Sequence, residues 1–413
     1  MRPNNPQNFL RKHEDLVKIS FVEMINRYGA SVMYAIIPIL VMSMTSEIVA
    51  GIFMTVCNLI EGFLISPILG NLEDRNGAKP WMIVSSFNLI FAGIFLVAFD
   101  PSFLVLIFFS IFLFGYYATR ATDVYILRVS NKKEGGFVFG FSENFFSIAY
   151  FLATISIPFF VLETNHDLLG YVVLTSGVLS LLVYLGIKKD IVKNKVKIPF
   201  LELLNPILTI KSGYRFVKSN KFYPLMVLTA GIWQGFFYGS LWFVIPIHIS
   251  KLGLSGLMGG LQLGIYEVVT VFIAAYSGYL ADKFNWRFLH SSGWFLVLVG
   301  AILMPFFPMP VGLVLIGLII GVGNNLFFFS ARHALEYYDI DHEEDGRFLS
   351  LNTMVETIGY SVSPILTSIF YSYYGFVSTL ILISFVSGIL AIFMILFTIK
   401  CERKGAKKTK KRK

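Results

Sequence analysis

One polar loop interrupts the apolar first half of the chain, and it reads Gly70-Asn71-Leu72-Glu73-Asp74-Arg75-Asn76-Gly77-Ala78-Lys79. Its glycines allow a tight turn that brings two helices close together. Asp74 can approach the positive end of a neighbouring helix or an arginine, and Arg75 and Lys79 can reach lipid phosphates. The loop therefore predicts a turn between two membrane helices at a bilayer surface.

The same pattern returns later in the chain as Gly278-Tyr279-Leu280-Ala281-Asp282-Lys283, at an offset of 208 residues (278 minus 70). Tyr34 and Pro38 match Trp242 and Pro246 at the same offset. Two separate matches at one offset indicate a duplicated chain. Two halves in parallel order imply a pseudo-two-fold axis along the membrane normal, with a cavity between the halves.

The composition indicates that the chain is built for lipid. Hydrophobic residues make up 56% of the 413 residues, charged residues make up only 14%, and 42 residues are Phe. Because a soluble domain is about one quarter charged, these values exclude a disordered protein, a secreted disulfide scaffold and a cytosolic enzyme. The two cysteines, Cys57 and Cys401, lie too far apart in sequence and setting to suggest a disulfide.

Twelve stretches come close to or exceed the roughly 20 apolar residues that cross a bilayer as a helix. Helices satisfy every backbone polar group internally, as lipid demands. The sequence therefore predicts an all-α polytopic membrane protein with twelve transmembrane helices in two six-helix repeats. The predicted spans are 16–42, 47–70, 80–99, 102–128, 136–161, 167–187, 222–249, 255–281, 286–307, 310–338, 346–371 and 375–399.

Lysine and arginine cluster on one predicted side of the membrane. The connection 188–221 carries nine of them, and the tail from Lys400 to Lys413 carries another nine. Of the predicted outer loops, only 249–254 contains one, Lys251. The positive-inside rule then predicts a multi-pass protein of the cell membrane with both termini in the cytoplasm. The first fifteen residues are polar and lack the pattern of a cleavable signal.

The charge pattern also divides the chain into four units. Within the central connection, Phe200, Leu204, Ile207 and Leu208 have helical spacing, which predicts a helix along the inner membrane surface. We expect the basic tail to touch anionic lipid and not nucleic acid. The predicted units are a six-helix half at 1–187, the basic linker 188–221, a second six-helix half at 222–399 and the tail 400–413.

The pattern Gly70-x-Leu72-x-Asp74-Arg75-x-Gly77-x-Lys79 resembles the signature loop of the major facilitator superfamily. The copy at Gly278 is similar to the weaker second loop of that superfamily. The twelve spans, the six-plus-six repeat and the long basic connection extend the resemblance over the whole chain. It implies the fold of the superfamily and transport by alternating access.

The resemblance also implies a gate. Asp74 would contact the cytoplasmic ends of spans 4 and 11 while the outer side is open, and Asp282 would do the same in the other half. The alternative is that permanent ion pairs hold these helix ends. The expected partners are Arg120 with Asp123 at the end of span 4, and Arg332 with Glu336 at the end of span 10, because each pair shares a helix face. The predicted gating residues are Gly70, Asp74, Arg75, Gly77, Arg120, Asp123, Asp282, Arg332 and Glu336.

Acidic residues inside the spans are functional candidates, because an ionisable group at membrane depth costs at least ~2.5 kcal/mol. At ~1.5 Å per residue, three of them lie about 14 to 17 Å from the cytoplasmic edge, close to the midplane, and a fourth lies shallower. A carboxylate buried without a cation can exchange a proton near neutral pH. The predicted proton-coupling residues are Glu61, Glu267 and Glu356 near the midplane and the shallower Glu143.

Glu23 and Arg27 in the first span either neutralise each other or take part in binding. The local sequence Glu23-Met24-Ile25-Asn26-Arg27-Tyr28-Gly29 is similar to the first-span motif of proton-coupled peptide transporters. Tyr34 and Trp242, each one turn before a proline, are expected to line a cavity. Uncharged polar side chains in the second half either do the same or join helices. The predicted substrate-binding residues are Glu23, Arg27, Tyr34, Gln234, Trp242, Asn324 and Asn325.

These features favour a secondary active transporter, proton-coupled by symport or antiport, for a small amphipathic or cationic solute. Net acidity in the expected cavity is the reason for the cation. The alternatives are an efflux antiporter for lipophilic compounds, and a lipid-translocating protein or non-transporting receptor on the same scaffold. The sequence has no nucleotide-binding loop, and its six histidines lack metal-ligand spacing. We therefore expect no catalysis, cofactor or metal. We also expect a monomer.

Overall fold

The computed structural model describes residues 14–99, 102–119, 121–129, 135–162, 166–188, 200–219, 223–252, 256–308, 310–337 and 345–410. Within these ranges the chain is helical and contains no β-strand. The helices are α1 Glu14–Met44, α2 Glu47–Asn76, α3 Lys79–Ala98, α4 Phe103–Ala118, α5 Ala121–Val129, α6 Gly135–Leu162, α7 His166–Gly186, α8 Phe200–Leu203, α9 Ile207–Ser219, α10 Tyr223–Leu252, α11 Gly256–Lys283, α12 Trp286–Leu303, α13 Pro310–Tyr337 and α14 Asp345–Lys410.

Ten helical stretches of the described chain are long and apolar enough to cross a membrane. The last of them, Leu349–Lys400, has 52 residues. At ~1.5 Å per residue it is about 78 Å long, more than twice the ~30 Å thickness of the hydrocarbon core. Its helix is broken at Gly375, where φ is 80° and ψ is −177°. The position of this break agrees with the boundary predicted between spans 346–371 and 375–399.

Two local irregularities were not predicted. The expected span 102–128 is divided, because the backbone is extended at Thr119, with φ −81° and ψ 116°. The second irregularity is a π-helical segment, Ile60–Ile65, inside α2. There the Ser66 N–H donates to the Glu61 carbonyl, five residues earlier. π-helical turns occur frequently at functional sites, and this one contains Glu61.

The first half of the chain, α1–α7, packs against the second half, α10–α14, along two helix pairs. In the pair of α2 and α14, a Cβ added at Gly70 would lie 2.5 Å from the Gly346 carbonyl oxygen. In the pair of α6 and α11, a Cβ added at Gly140 would lie 2.5 Å from the Ala274 carbonyl oxygen. Small residues let the backbones approach this closely, as is common between membrane helices.

Replacement of Gly235 by alanine is expected to lower the thermal stability of the protein. A methyl group on Gly235 of α10 would lie 1.9 Å from the Glu356 carbonyl oxygen of α14. Overpacking of this kind costs roughly 1–3 kcal/mol, which equals or exceeds the roughly 1 kcal/mol that alanine gains over glycine in a helix. The measurement is the melting temperature of purified protein in detergent.

Gly388→Ala is the matched control, because the nearest heavy atom to its added Cβ is Leu298 Cδ1 at 3.8 Å. That variant should be as stable as the parent protein or slightly more stable. Equal melting temperatures for the two variants would contradict the close packing of α10 on α14.

Candidate functional site

A cavity of about 250 Å³ lies between the two halves. α1, α2 and α4–α6 contribute to it from the first half, and α10, α11, α13 and α14 from the second. Every residue predicted to bind substrate or to couple protons lines this cavity. These residues are Glu23, Arg27, Tyr34, Glu61, Glu143, Gln234, Trp242, Glu267, Asn324, Asn325 and Glu356.

The cavity wall is acidic and aromatic. Six carboxyl groups line it, from Asp123 and five glutamates, whereas Arg27 is the one basic side chain among the described lining residues. With all of these groups ionised, the wall would carry a net charge of −5 (one positive and six negative). Six tyrosines also line the wall, Tyr34, Tyr116, Tyr117, Tyr150, Tyr238 and Tyr360. Carboxylates and ring faces together attract an organic cation.

Hydroxyl groups and Arg27 surround the buried Glu23 carboxylate. Tyr116 donates to its Oε1 at 2.9 Å, and Tyr184 donates to its Oε2 at 2.7 Å. Arg27 Nε lies 3.4 Å from Oε1. Charge-assisted hydrogen bonds of this kind offset the cost of burying a carboxylate. The ion pair between Glu23 and Arg27 that their four-residue spacing allows is therefore present. It belongs to a larger hydrogen-bond network on the cavity wall that includes Tyr116 and Tyr184.

Arg27 connects α1 with two other helices. Its Nη1 donates to the Tyr150 hydroxyl of α6 at 3.3 Å, and its Nη2 lies 4.0 Å from Asp123 Oδ1 of α5. The guanidinium carbon lies 3.9 Å from the centre of the Phe146 ring. Arg27 thus contacts the carboxylates of both Glu23 and Asp123.

The Glu267 carboxylate lies at the boundary between the halves. Ser147 Oγ of α6 donates to its Oε2 at 3.0 Å, so the bond joins the first half to α11. On α14, Asn352 Nδ2 donates to Glu356 Oε1 at 2.8 Å. Glu61 reaches the cavity from the π-helical turn of α2, and Glu143 reaches it from α6. A change in the protonation state of Glu267 would act directly on a contact between the halves.

The predicted amides of the second half mainly join helices. Gln234 Nε2 of α10 donates to Asn324 Oδ1 of α13 at 3.2 Å, and Asn324 Nδ2 donates to the Tyr238 hydroxyl at 3.1 Å. Asn325 Nδ2 donates to Thr270 Oγ1 of α11 at 2.8 Å. All three amides also line the cavity. These residues can therefore join helices and line the cavity at the same time.

Tyr34 and Trp242, the repeat-related aromatic residues, approach rings of other helices. The Tyr34 ring centre lies 5.9 Å from that of Tyr117 on α4 and 6.5 Å from that of Tyr360 on α14. The Trp242 ring centre lies 6.3 Å from that of Tyr150 on α6. Each of the two residues thus contacts the opposite half of the chain across the cavity.

The Asp74 carboxylate joins the two halves at one end of the protein, which we call the Asp74 end. The backbone N–H groups of Gly346 and Arg347 donate to its Oδ1 and Oδ2 at 2.7 and 3.1 Å. Asp74 thus caps the N-terminus of α14, where negative charge is favourable. Arg128 Nη2 of α5 lies 3.4 Å from Oδ1, and Arg347 Nε lies 3.9 Å from Oδ2. The carboxylate is completely buried.

Among the described residues, the charged side chains that face Asp74 lie at the ends of the predicted spans 4 and 11. Arg128 and Arg347 face it, whereas Asp123 lies on the cavity wall beside Arg27. The helix-face assignment assumed one continuous span, whereas the backbone is extended at Thr119. The remaining predicted gating positions, namely Arg120 and the side chains of Asp282, Arg332 and Glu336, lie outside the described residues.

The rest of the loop after α2 has local structural roles. Gly77 follows the last turn of α2 with φ 88°, a conformation that side-chain-bearing residues rarely adopt. Arg75 lies in that last turn and is half-buried. Lys79 Nζ donates to carbonyl oxygens at the C-terminal end of α7, those of Leu185, at 3.0 Å, and Ile187. Lys79 therefore caps the end of a neighbouring helix, where a cation is favourable, and this contact differs from the expected contact with lipid.

A second group of contacts joins the halves at the opposite end, which we call the Glu47 end. Lys251 Nζ of α10 lies 2.5 Å from Glu47 Oε1 of α2, and Ser372 Oγ of α14 donates to Glu47 Oε2 at 3.1 Å. Nearby, His248 Nδ1 lies 3.1 Å from the Tyr371 hydroxyl. Contacts between the halves are therefore present at both ends of the cavity.

Several residues of the site were not predicted from the sequence. The tyrosines around Glu23 and Arg27 carry no local signal that distinguishes them from lipid-facing aromatic residues. Glu47 and Lys251 were detectable in part, because Lys251 is the one basic residue of the predicted outer loops and Glu47 begins an apolar span. Their pairing depends on tertiary structure across 204 residues (251 minus 47).

Comparisons with known proteins agree with this architecture. No match is found among curated protein sequences. The human organic anion transporter MFSD10 (TETRAN) has a similar structure, with a TM-score of 0.75 at 10% identity, covering 93% of this chain and 99% of that chain. A POT family transporter in complex with 5-aminolevulinic acid has a TM-score of 0.69 at 11% identity, covering 93% and 96%. At these identities the likeness shows the fold alone.

The family model described as Major Facilitator Superfamily matches residues 19–338, well over half of the chain. This range includes the loop with Asp74 and most of the residues that line the cavity. The chain therefore belongs to the Major Facilitator Superfamily of membrane transporters.

Proposed function

We propose that the protein is a proton-coupled secondary active transporter that moves a small amphipathic or cationic solute by alternating access. The observation that carries the proposal is the cavity wall, whose described residues include six carboxyl groups, six tyrosines and one arginine between the two halves. Such a wall suits a solute with a positive charge and an apolar body, because carboxylates and ring faces both attract cations.

The proposed topology has twelve crossings in two repeats, with both termini in the cytoplasm of a cell membrane. The length of Leu349–Lys400 and its break at Gly375 support two crossings in α14. The basic connection 188–221 and the basic tail support a cytoplasmic location for the Asp74 end. We propose that the transporter acts as a monomer.

The proposed gate consists of the contacts at the two ends of the cavity. At the Asp74 end, a buried carboxylate caps α14 and faces two arginines. At the Glu47 end, the side chains of the ion pair with Lys251 are 24% and 46% exposed. Exposed pairs contribute about 0–1 kcal/mol, whereas breaking a buried pair costs roughly 3–5 kcal/mol. The Asp74 end therefore forms the stronger closure in this proposal.

Proton coupling is assigned to the carboxylates of the cavity, with Glu267 as the first candidate. Its hydrogen bond with Ser147 joins the halves, so protonation can alter the contact that must change during alternating access. Glu61, Glu143 and Glu356 are further candidates on the same wall.

The experiment is uptake into proteoliposomes that contain the purified protein, with a panel of organic cations, zwitterionic peptides, amino acids, sugars and organic anions. Each compound is measured with and without an imposed proton gradient. We expect uptake of amphipathic cations, and we expect the gradient to increase it. Uptake confined to organic anions or sugars would contradict the substrate class, and flux that does not respond to the gradient would contradict proton coupling.

A further inference from the structure

Helix α9, in the connection between the halves, turns an apolar strip away from the protein. Ile207, Ile210 and Tyr214 have helical spacing and are 51%, 47% and 68% exposed. Thr209, on the opposite face, is completely buried. At about 100° per residue, Lys211 and Arg215 lie beside the apolar strip, and both are exposed. The helix is therefore amphipathic, with basic residues along one edge of its outward apolar face.

Contacts with α2 place this helix at the Asp74 end. Thr209 Oγ1 donates to the Pro67 carbonyl oxygen at 3.2 Å, two helical turns before Asp74. In the proposed topology α2 leaves the bilayer there, which places the apolar strip at the level of the lipid headgroups. An apolar face with a basic edge at this level is the geometry of a helix that lies in the membrane interface. The basic edge complements the negative charge of anionic headgroups.

The Asn71 side chain connects this surface helix to the contacts of Asp74. Its Oδ1 accepts hydrogen bonds from Thr209 Oγ1 at 3.3 Å and from Arg347 Nε at 3.0 Å. Its Nδ2 donates to the Leu203 carbonyl oxygen at 3.1 Å. Asn71 is completely buried, so loss of these bonds would leave polar groups without partners. One amide thus binds the linker and also the arginine that faces Asp74.

We propose that α9 is a membrane-surface anchor for anionic phospholipids, and that Asn71 couples its docking to closure of the Asp74 end. A lipid that binds α9 in this position stabilises the conformation in which Asn71, Arg347 and Asp74 are in contact. By linkage, opening of that end weakens the lipid contact. Docking is independent of transport, whereas its effect on closure rests on the proposed alternating access.

The first test measures docking of α9 in the full chain. A spin label is attached at Tyr214→Cys in a Cys57→Ser/Cys401→Ser background, in nanodiscs of phosphatidylcholine with and without phosphatidylglycerol. With phosphatidylglycerol, the label should be accessible to oxygen and shielded from a water-soluble nickel chelate. A label that is equally accessible to the chelate in both nanodiscs would overturn the anchor. This result is independent of whether any solute is transported.

The second test measures coupling, as the distance between spin labels at Asn76→Cys and Phe284→Cys, exposed positions on the two repeat-related loops. Phosphatidylglycerol should raise the ratio of short to long distances by at least roughly threefold, which is a fraction of the attraction of two basic side chains to an anionic surface. An unchanged ratio would overturn the coupling. Free inorganic phosphate added to phosphatidylcholine nanodiscs should have no effect, and an equal effect would overturn the assignment to lipid.

Three variants complete the second test. Lys211→Gln/Arg215→Gln should lose the response to phosphatidylglycerol. Lys18→Gln/Lys188→Gln, which removes the same charge from exposed positions at the same end, should retain it. Thr209→Val keeps the shape of the side chain but removes its bonds to Asn71 and Pro67, and it should weaken the response. A full response in Lys211→Gln/Arg215→Gln, or its loss in the control, would contradict the proposal.

Discussion

Replacement of Asp74 by asparagine is expected to open the Asp74 end of the protein. The carboxylate accepts two backbone hydrogen bonds at the start of α14 and faces Arg128 and Arg347. An amide of the same size has one acceptor oxygen, and its NH₂ group would face donors. Loss of a helix cap costs about 0.5–2 kcal/mol, and loss of a partner from a buried ion pair costs more. We therefore expect at least a ~30-fold shift towards the open state, corresponding to about 2 kcal/mol.

The measurement is the rate at which an impermeant maleimide labels Thr119→Cys, on the cavity wall, from the side of the Asp74 end. The two native cysteines are replaced by serine in this experiment. Asp167→Asn is the matched control, because this aspartate is exposed in the first turn of α7. Its labelling rate should equal that of the parent. Equal rates for Asp74→Asn and the control would indicate that the buried contacts are permanent and unrelated to gating.

Replacement of Glu267 by glutamine is expected to abolish uphill transport and to preserve exchange. Glutamine keeps an oxygen that can accept the Ser147 hydrogen bond, but it cannot release or bind a proton. A gradient of one pH unit supplies about 1.4 kcal/mol, so coupling to one proton supports roughly tenfold accumulation. In the variant, accumulation should fall to about the level without a gradient. Uptake and counterflow are measured in the same proteoliposomes.

Ser147→Ala is the control for this experiment, because it removes the hydrogen bond and leaves the carboxylate. It should retain accumulation, although its rate can change. The same measurement on Glu61→Gln and Glu356→Gln compares the other carboxylates near the midplane. Full accumulation in all three glutamine variants would contradict proton coupling through these residues.

The residues of the cavity could be predicted from the sequence because a charged or amide side chain in an apolar span has few other places to lie. Glu61, Glu267 and Glu356 occupy spans where each ionisable group is costly, and the structure brings them to one cavity. The superfamily was predictable from the loop around Asp74, and the family match confirms it. The coupling, substrate and gating roles of individual residues stay predictions.

The contacts that hold these residues could not be predicted in the same way. Tyr116 and Tyr184 donate hydrogen bonds to Glu23. The chain has 20 tyrosines, and the sequence around these two does not distinguish them from the others. Arg128, which faces Asp74, follows the break at Thr119, and apolar composition contains no sign of that break. Hydropathy determines how deep a residue lies, whereas the rotation of each helix and its partners depend on tertiary packing.

Alternating access through the cavity is the central claim, and pairs of spin-label distances test it most directly. One pair, Asn76→Cys and Phe284→Cys, reports on the Asp74 end, and another, Met44→Cys and Tyr374→Cys, reports on the Glu47 end. Both pairs are measured with and without a transported cation and at several pH values. We predict opposite changes, so that each condition that lengthens one distance shortens the other. Simultaneous lengthening at both ends, or no change at either end, would contradict the mechanism.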